Sequence, residues 1–273
     1  MIPLGNMSGM MALKLVDNLR DRELAQVERE PVNARAIKAV RERMKNIESV
    51  DDLMADRELY VFTMKAFDLE DQIFGKKMIE KILKSDIDDR KSLVNRLTDP
   101  RFKKLYKTFD FKLGGITNFN TLKESWREDL IDLYVERQFI NKTWDKNPVV
   151  ANVLEFREKV GGLKNWFDVL KDKQMSIFMR TALGLPESTA KLDIDRQARM
   201  LEKKIPLAKL KDPAEVLKLE RKFMILAEVQ GGAAVSNNTA LNMLWSGGGF
   251  RGNYTPITID MGLIASMPKK PYV

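Results

Sequence analysis

The chain has 273 residues, 44% of them hydrophobic, enough to bury a core in one large domain or two of ordinary size. It contains no cysteine and no histidine, which excludes disulfides, thiolate nucleophiles, zinc–sulfur sites and the commonest general base. The formal charge is +8, but 47 basic residues are interspersed with 39 acidic ones, the pattern of a solvated, ion-paired helical surface more than of a nucleic-acid face.

An N-terminal arm and helix over 1–31 open the chain, with a helix expected at 9–30. The stretch Met1 to Ala12 is small and apolar, with no basic region ahead of an apolar core, and no window reaches the length of a membrane span. Neither a cleavable signal nor a membrane anchor is therefore expected. Met7, Met10 and Met11 lie in this arm and are candidate partner contacts; packing on the body is the alternative role.

Helical three- and four-residue spacing of apolar side chains then continues almost throughout, without a sustained strand-type alternation. A first helical repeat over 32–111 is read as helices at about 33–48, 50–67, 71–84, 88–97 and 100–110. Ser49 with Asp52 has the form of an N-cap with an acid at the third position. Asp86-Ile87-Asp88-Asp89 fails as an EF-hand loop, because Lys91 and Leu97 stand where glycine and glutamate are needed. Asp99-Pro100 supplies a capping acid and a proline at the first helical position. Lys103, Lys104, Lys107 and Lys112 make the one locally single-signed cluster.

A bridging region over 112–147 carries a helix at about 120–141, with Leu122, Trp126, Leu130, Leu133 and Tyr134 on one face. The second repeat, over 148–230, is read as helices at about 148–160, 165–183, 188–205 and 213–229. Gly114-Gly115 and Gly161-Gly162 separate helices and are not phosphate loops, since no Lys-Ser or Lys-Thr follows. Beyond Gln230 the composition turns to Gly, Ser, Asn, Thr and Pro with scattered apolar anchors, which reads as an extended tail over 231–273. Trp245, Phe250, Arg251 and Tyr254 are its candidate partner contacts. Gly247 to Gly252 matches the spacing G-x-G-x-x-G, but Pro256 and β-branched residues follow in place of a helix, so a hinge is expected there.

The chain repeats itself. Ile37 to Leu69 recurs without a gap from Val153 to Leu185, so that Arg41, Glu42, Asp52, Asp56, Phe62, Ala66 and Leu69 meet Arg157, Glu158, Asp168, Asp172, Phe178, Ala182 and Leu185. Asn165 with Asp168 reproduces the cap at Ser49, and Asp212-Pro213 reproduces Asp99-Pro100. The pairs Asp52/Asp56 and Asp168/Asp172 are four apart, on one face of a single helix as read here. Capping and ion pairing with Arg41/Arg57 and Arg157/Lys173 are expected of them rather than acid–base catalysis, because nothing in the sequence supplies a pocket to separate their pKa values. The fold class that follows is all-α: an internally duplicated helical body of two similar lobes bridged by a long helix, with an irregular C-terminal tail.

The segments Ser49-Val-Asp-Asp-Leu-Met-Ala-Asp-Arg-Glu-Leu, Lys65-Ala-Phe-Asp-Leu-Glu-Asp, Asn95-Arg-Leu-Thr-Asp-Pro-Arg-Phe and Thr108-Phe-Asp-Phe resemble a bacterial family known only as domain of unknown function 1217. Phe178-Met-Arg-Thr-Ala-Leu-Gly-Leu-Pro and Leu192-Asp-Ile-Asp-Arg-Gln-Ala are similar to its second half. The resemblance spans about 35–230. Asp68 departs from it, standing where the family usually has glycine. Members occur chiefly in alphaproteobacteria, often encoded among flagellar and motility genes. The resemblance implies no catalytic, cofactor or metal residues, and none is assigned. It implies a motility-associated helical protein of the bacterial flagellum or its cytoplasmic assembly apparatus.

The resulting expectation is a non-enzymatic structural, assembly or regulatory protein of the flagellum. It would act through contacts with other flagellar or motility proteins, with an oligomer or larger assembly as one form, and without a cofactor. The alternative is a basic helical nucleic-acid-binding protein using the lysines from Lys103 to Lys112; an enzyme built on carboxylates and arginines alone is a third reading.

Overall fold

The computed structural model describes residues 7–230. The tail over 231–273, including Trp245, Phe250, Arg251, Tyr254 and the glycine run at Gly247, lies outside the described residues. One compact unit runs to Ala227, and a second begins at Glu228.

Among the described residues the body is all-α. Its helices are α1 (Gly9–Arg29), α2 (Pro31–Arg43), α3 (Val50–Ala55), α4 (Arg57–Ala66), α5 (Lys76–Leu83), α6 (Leu93–Arg96), α7 (Pro100–Phe109), α8 (Glu124–Trp144), α9 (Pro148–Val160), α10 (Trp166–Lys171), α11 (Lys173–Ala182), α12 (Ile194–Lys204) and α13 (Pro213–Gln230). An isolated antiparallel bridge between Lys112 and Thr117 is the one β feature described.

The expected elements are present, but several are shorter, for a shared reason. The helices read at 50–67 and 165–183 are each two helices, broken at Asp56 and Asp172. There the aspartate carboxylate accepts the backbone amides of Glu58 and Leu59, or of Gln174 and Met175, at 2.9–3.1 Å. A side chain that binds the amides of the following turn competes with helix continuation, so it starts a new helix. Asp52 and Asp56 therefore belong to different helices, as do Asp168 and Asp172. The same chemistry shortens the helix read at 88–97: Asp86 and Asp89 accept the amides of Asp88 and Lys91, leaving only α6. The Asn118 side chain likewise takes the amide of Asn120 at 2.7 Å, and α8 begins at Glu124.

The repeated sequence produces repeated local structure. α3 and α10 have 6 residues each, and α4 and α11 have 10 each. Both α3 and α10 open with a capping box, Ser49 with Asp52 and Asn165 with Asp168. Both α4 and α11 close with a left-handed residue, Asp68 at φ 58° and Gly184 at φ 63°. In both, the following leucine amide returns to the helix at 2.8 Å, Leu69 to Met64 and Leu185 to Arg180, closing the last turn. The ion pairs differ from expectation. Asp56 pairs with Arg43 at 3.4 Å and Asp172 with Lys159 at 2.7 Å. Arg41 and Arg157 instead reach other helices, bidentate to Glu128 and to Glu220 respectively.

α8 sits at the centre of the packing, against α1, α2, α4 and α9. It is about 30 Å long at the usual helical rise. It buries Leu130, Ile131, Tyr134, Val135, Arg137, Phe139, Ile140 and Thr143, a set too wide for one stripe, as expected of a helix enclosed on more than one side. The region read as a bridge is thus a core element. Tyr134 stacks on Phe62 of α4 with ring centroids 4.1 Å apart. In the second repeat Phe178 of α11 stacks on Phe156 at 3.8 Å and on Phe223 of α13 at 4.5 Å. Helices of both repeats contribute to a single buried cluster.

Two substitutions measure the caps. Ser49→Ala and Asn165→Ala should each cost about 1 kcal/mol by urea unfolding at neutral pH. Hydrogen bonds from the Ser49 hydroxyl and amide hold the Asp52 carboxyl below its ordinary value. Its stabilisation is present above the unfolded carboxylate pKa and is lost as pH falls through the depressed folded one. The Ser49→Ala deficit should therefore shrink in acid.

Candidate functional site

Two features stand apart from ordinary core and surface: a loop that presents apolar side chains to solvent, and a cleft lined by charge.

The loop joins α7 to α8. Its backbone is held at many points: Gly115 accepts the Val50 amide at 2.8 Å and Lys112 donates to the Thr117 carbonyl at 2.8 Å. The fully buried Thr121 donates its hydroxyl to the Ile47 carbonyl at 2.8 Å. Asn118 and Asn120 both donate to the Phe109 carbonyl. Gly115, at φ 96°, has room for no side chain, since a Cβ would lie 2.8 Å from Lys84 Cγ and 2.9 Å from Val50 Cγ2. On this fixed frame Leu113, Ile116, Phe119 and Leu122 are 57–77% exposed. Leu113 also holds a left-handed conformation at φ 54°, which a residue with a Cβ adopts only at a cost.

Of the N-terminal methionines, Met7 and Met10 are partly buried and pack against the core, while Met11 is exposed. The lysine cluster is partly neutralised. Lys104 pairs with Glu158 at 3.0 Å and Lys112 with Asp110 at 2.7 Å, and Lys103 donates to the Asn95 side chain.

The cleft encloses about 500 Å3 and is walled by the end of α4, the start of α7, α8, α9 and the α10–α11 junction. Its floor is Arg137 of α8, whose side chain is 4% exposed. The guanidinium donates to Glu155 at 2.6 Å and to Asn141 at 2.9 Å, and it lies 3.4 Å from Asp68. Its Nη1 makes no hydrogen bond, with Glu158 Oε2 at 3.7 Å. Lys159 then links Glu155 at 3.3 Å to Asp172 at 2.7 Å, so charges alternate from α4 through α8 and α9 to α11. Arg101 closes the other end, bonded to Asp99, to the Asp68 carbonyl and, at 3.6 Å, to the Asp68 carboxylate. Sequence reasoning placed Asp68 at a helix end and Asp172 within a helix but did not assemble this cleft; its members come from five separate segments.

Burial pushes the Asp68 carboxyl above its ordinary value, and Arg137 and Arg101 do not outweigh burial together with the Glu155 charge. Glu155 and Asp172 go the other way. Burial raises both, but the Lys159 cation and, for Glu155, Arg137 hold them below the ordinary range. Lys159 is disfavoured as a cation by burial, but Glu155 and Asp172 more than restore it. Among the described residues no group of three or more carboxylates is placed to hold a metal ion, and no helix is long and apolar enough to cross a membrane.

A family profile described as a protein of unknown function, DUF1217, matches residues 66–216, more than half the chain. The chain belongs to the DUF1217 family. The matched span contains every residue lining the cleft. The fold is also that of a solved structure, the crystal structure of an Agrobacterium tumefaciens protein determined by a structural genomics consortium. The two are 30% identical with a TM-score of 0.74, over 84% of this chain and 97% of that one. No curated protein matches the chain.

Removing Arg137 alone should leave the buried Glu155 uncompensated: Arg137→Met should cost about 3–5 kcal/mol by urea unfolding. The double variant Arg137→Met/Glu155→Leu should recover much of that loss. Asp68→Asn tests the opposite sign. A carboxyl raised in the folded state subtracts stability as pH rises through its unfolded value, so Asp68→Asn should melt above the parent at pH 7. The two melting temperatures should converge below about pH 3, where the parent carboxyl is protonated in both states.

Proposed function

We propose that this protein is a non-enzymatic component of the bacterial flagellum, acting in its structure, assembly or regulation by docking onto other motility proteins. The observation that carries the docking is the loop between α7 and α8. Four large apolar side chains are exposed there on a backbone tied down by buried hydrogen bonds. A surface that is already rigid loses little conformational entropy when a partner covers it, which favours association. Apolar side chains grouped in this way mark interaction surfaces more often than scattered ones do. The flagellum, rather than some other assembly, rests on the resemblance to a family often encoded among motility genes.

The nucleic-acid alternative is less well supported, since Lys104 and Lys112 are engaged by carboxylates. Retention on DNA or RNA that survives moderate salt would restore it.

Deletion of the coding sequence should reduce swimming and the number of flagella per cell, and unchanged motility would sink the proposal. In the deletion strain, a chain carrying Phe119→Asp and Leu122→Asp should fail to restore motility. Its stability should stay within about 0.5 kcal/mol of the parent, because both side chains are exposed.

A further inference from the structure

The loop between α7 and α8 is turned inside out. Every third residue from Leu113 to Leu122 presents a large apolar side chain to solvent: Leu113, Ile116, Phe119 and Leu122. Between them Gly115, Asn118 and Thr121 are buried, and the two polar side chains are bonded to the Phe109 and Ile47 carbonyls. The body takes the polar side chains and water is left with the apolar ones, the reverse of the usual partition. Leu113 and Ile116 lie on one turn, since Lys112 pairs with Thr117 across it and the Gly115 and Ile116 amides both return to the Lys112 carbonyl. Leu113 holds its place there in a left-handed conformation, although its side chain is 77% exposed and so gains little from packing within its own chain.

Area and charge narrow what covers such a surface. The four side chains leave roughly 500 Å2 of apolar surface in water, on the scale of about 150–250 Å2 for one whole aromatic side chain, toward the upper end of what a monomer ordinarily shows. Two such patches face to face remove roughly 1,000 Å2 before any rim is counted, about the least that holds a specific complex. The rim is electroneutral. From Asp110 to Glu124 the charged residues are Asp110, Lys112, Lys123 and Glu124, and Lys84, whose stem lies against Gly115, is held by Asp51 and Glu80. A nucleic acid or an anionic lipid surface asks for cations without acids between them. Two charges of each sign suit a second copy of the same surface, because a twofold axis sets each residue of one copy against a different residue of the other.

We infer that this loop is the interface of a twofold dimer of this chain, with Leu113, Ile116, Phe119 and Leu122 of the two copies packed on one another and the lysines of each copy facing the acids of the other. The inference rests on reading the loop as a docking surface and names what docks there; the dimer, not the single chain, then meets the motility proteins. The fixed backbone suits this role, since neither copy has to order the loop on association. The interface is small, so the dimer is a weak one with a micromolar dissociation constant.

The test uses the full chain, followed by sedimentation velocity from low to high micromolar concentration. The parent should pass from monomer to dimer. Leu113→Asp and Ile116→Asp each set a pair of like charges into the apolar contact, so each should weaken dimerisation by about a hundredfold, the effect of like charges brought together. Leu113→Asp also replaces leucine at φ 54° by a residue that tolerates that conformation better. Its melting temperature, measured where the parent is monomeric, should therefore not fall, which separates loss of the dimer from unfolding. Ile225→Asp, at an exposed position on α13, is the control and should dimerise as the parent does. The inference is overturned if the parent stays monomeric throughout, if the dimer survives both loop variants, or if Ile225→Asp weakens it equally. A monomeric parent that co-sediments with anionic vesicles, and loses this in Leu113→Asp, assigns the loop to a lipid surface and overturns it too. Motility keeps the two readings apart. A monomeric parent whose Phe119→Asp/Leu122→Asp variant still fails to restore swimming overturns the dimer and leaves the docking; a loop-dependent dimer whose deletion strain swims normally keeps the dimer and removes the flagellar role.

Discussion

One guanidinium organises this molecule. Arg137 is enclosed on the central helix α8, and a charge withdrawn from water costs several kcal/mol unless carboxylates and hydrogen-bond acceptors come to it. They come from three directions: Asn141 from its own helix, Glu155 and Glu158 from α9, and Asp68 from the turn after α4. Helices far apart in sequence are thereby held at fixed positions around α8. Arginine suits this place better than lysine, because its planar fork reaches several acceptors at once and it does not escape the cost by deprotonation. The aromatic stack of Tyr134 on Phe62 locates the same helix from another side, and burial pushes the Tyr134 hydroxyl up to about 12.

The two ends of the repeated segment show what that constraint asks of individual residues. Gly184 takes its left-handed conformation without a Cβ penalty, as a residue closing a helix commonly does. Asp68, at the matched position, holds nearly the same φ with a side chain attached, and its carboxylate is in addition disfavoured by burial. Both effects subtract from stability. What they provide is a carboxylate placed beside both Arg137 and Arg101, which glycine at that position does not supply. Residues that cost stability locally tend to mark places where something other than stability is served, and Asp68 lies on the wall of the cleft.

The cleft and the loop are built on opposite physics. The cleft is polar and its charges nearly balanced, so it suits an apolar surface poorly. The loop between α7 and α8 is apolar where it meets solvent and hydrogen-bonded where it meets the body. Gly115 permits the close approach that anchors it. One molecule can carry both without conflict, since no residue lines the cleft and also belongs to the loop.

The sequence by itself determined the helical class, the order of the elements and most of their ends. These depend on near-neighbour physics: spacing of apolar residues, prolines at first turns, and capping acids such as Asp99 and Asp212. The repeat was legible for the same reason, because capping boxes and left-handed closures are written within a few residues. It misled at Asp56 and Asp172. An aspartate inside a helix and an aspartate starting the next helix look alike until the backbone shows which amides the carboxylate holds. It also misplaced the arginine partners, choosing Asp52/Asp56 and Asp168/Asp172 near in sequence where Arg41 and Arg157 reach Glu128 and Glu220 on other helices. Only the tertiary structure decided that α8 is enclosed rather than a bridge, that Asp68, Arg101, Arg137, Glu155 and Asp172 meet at one cleft, and that Leu113, Ile116, Phe119 and Leu122 face solvent. Each of these is a relation between segments distant along the chain, and no local pattern records the distance across which two side chains will meet.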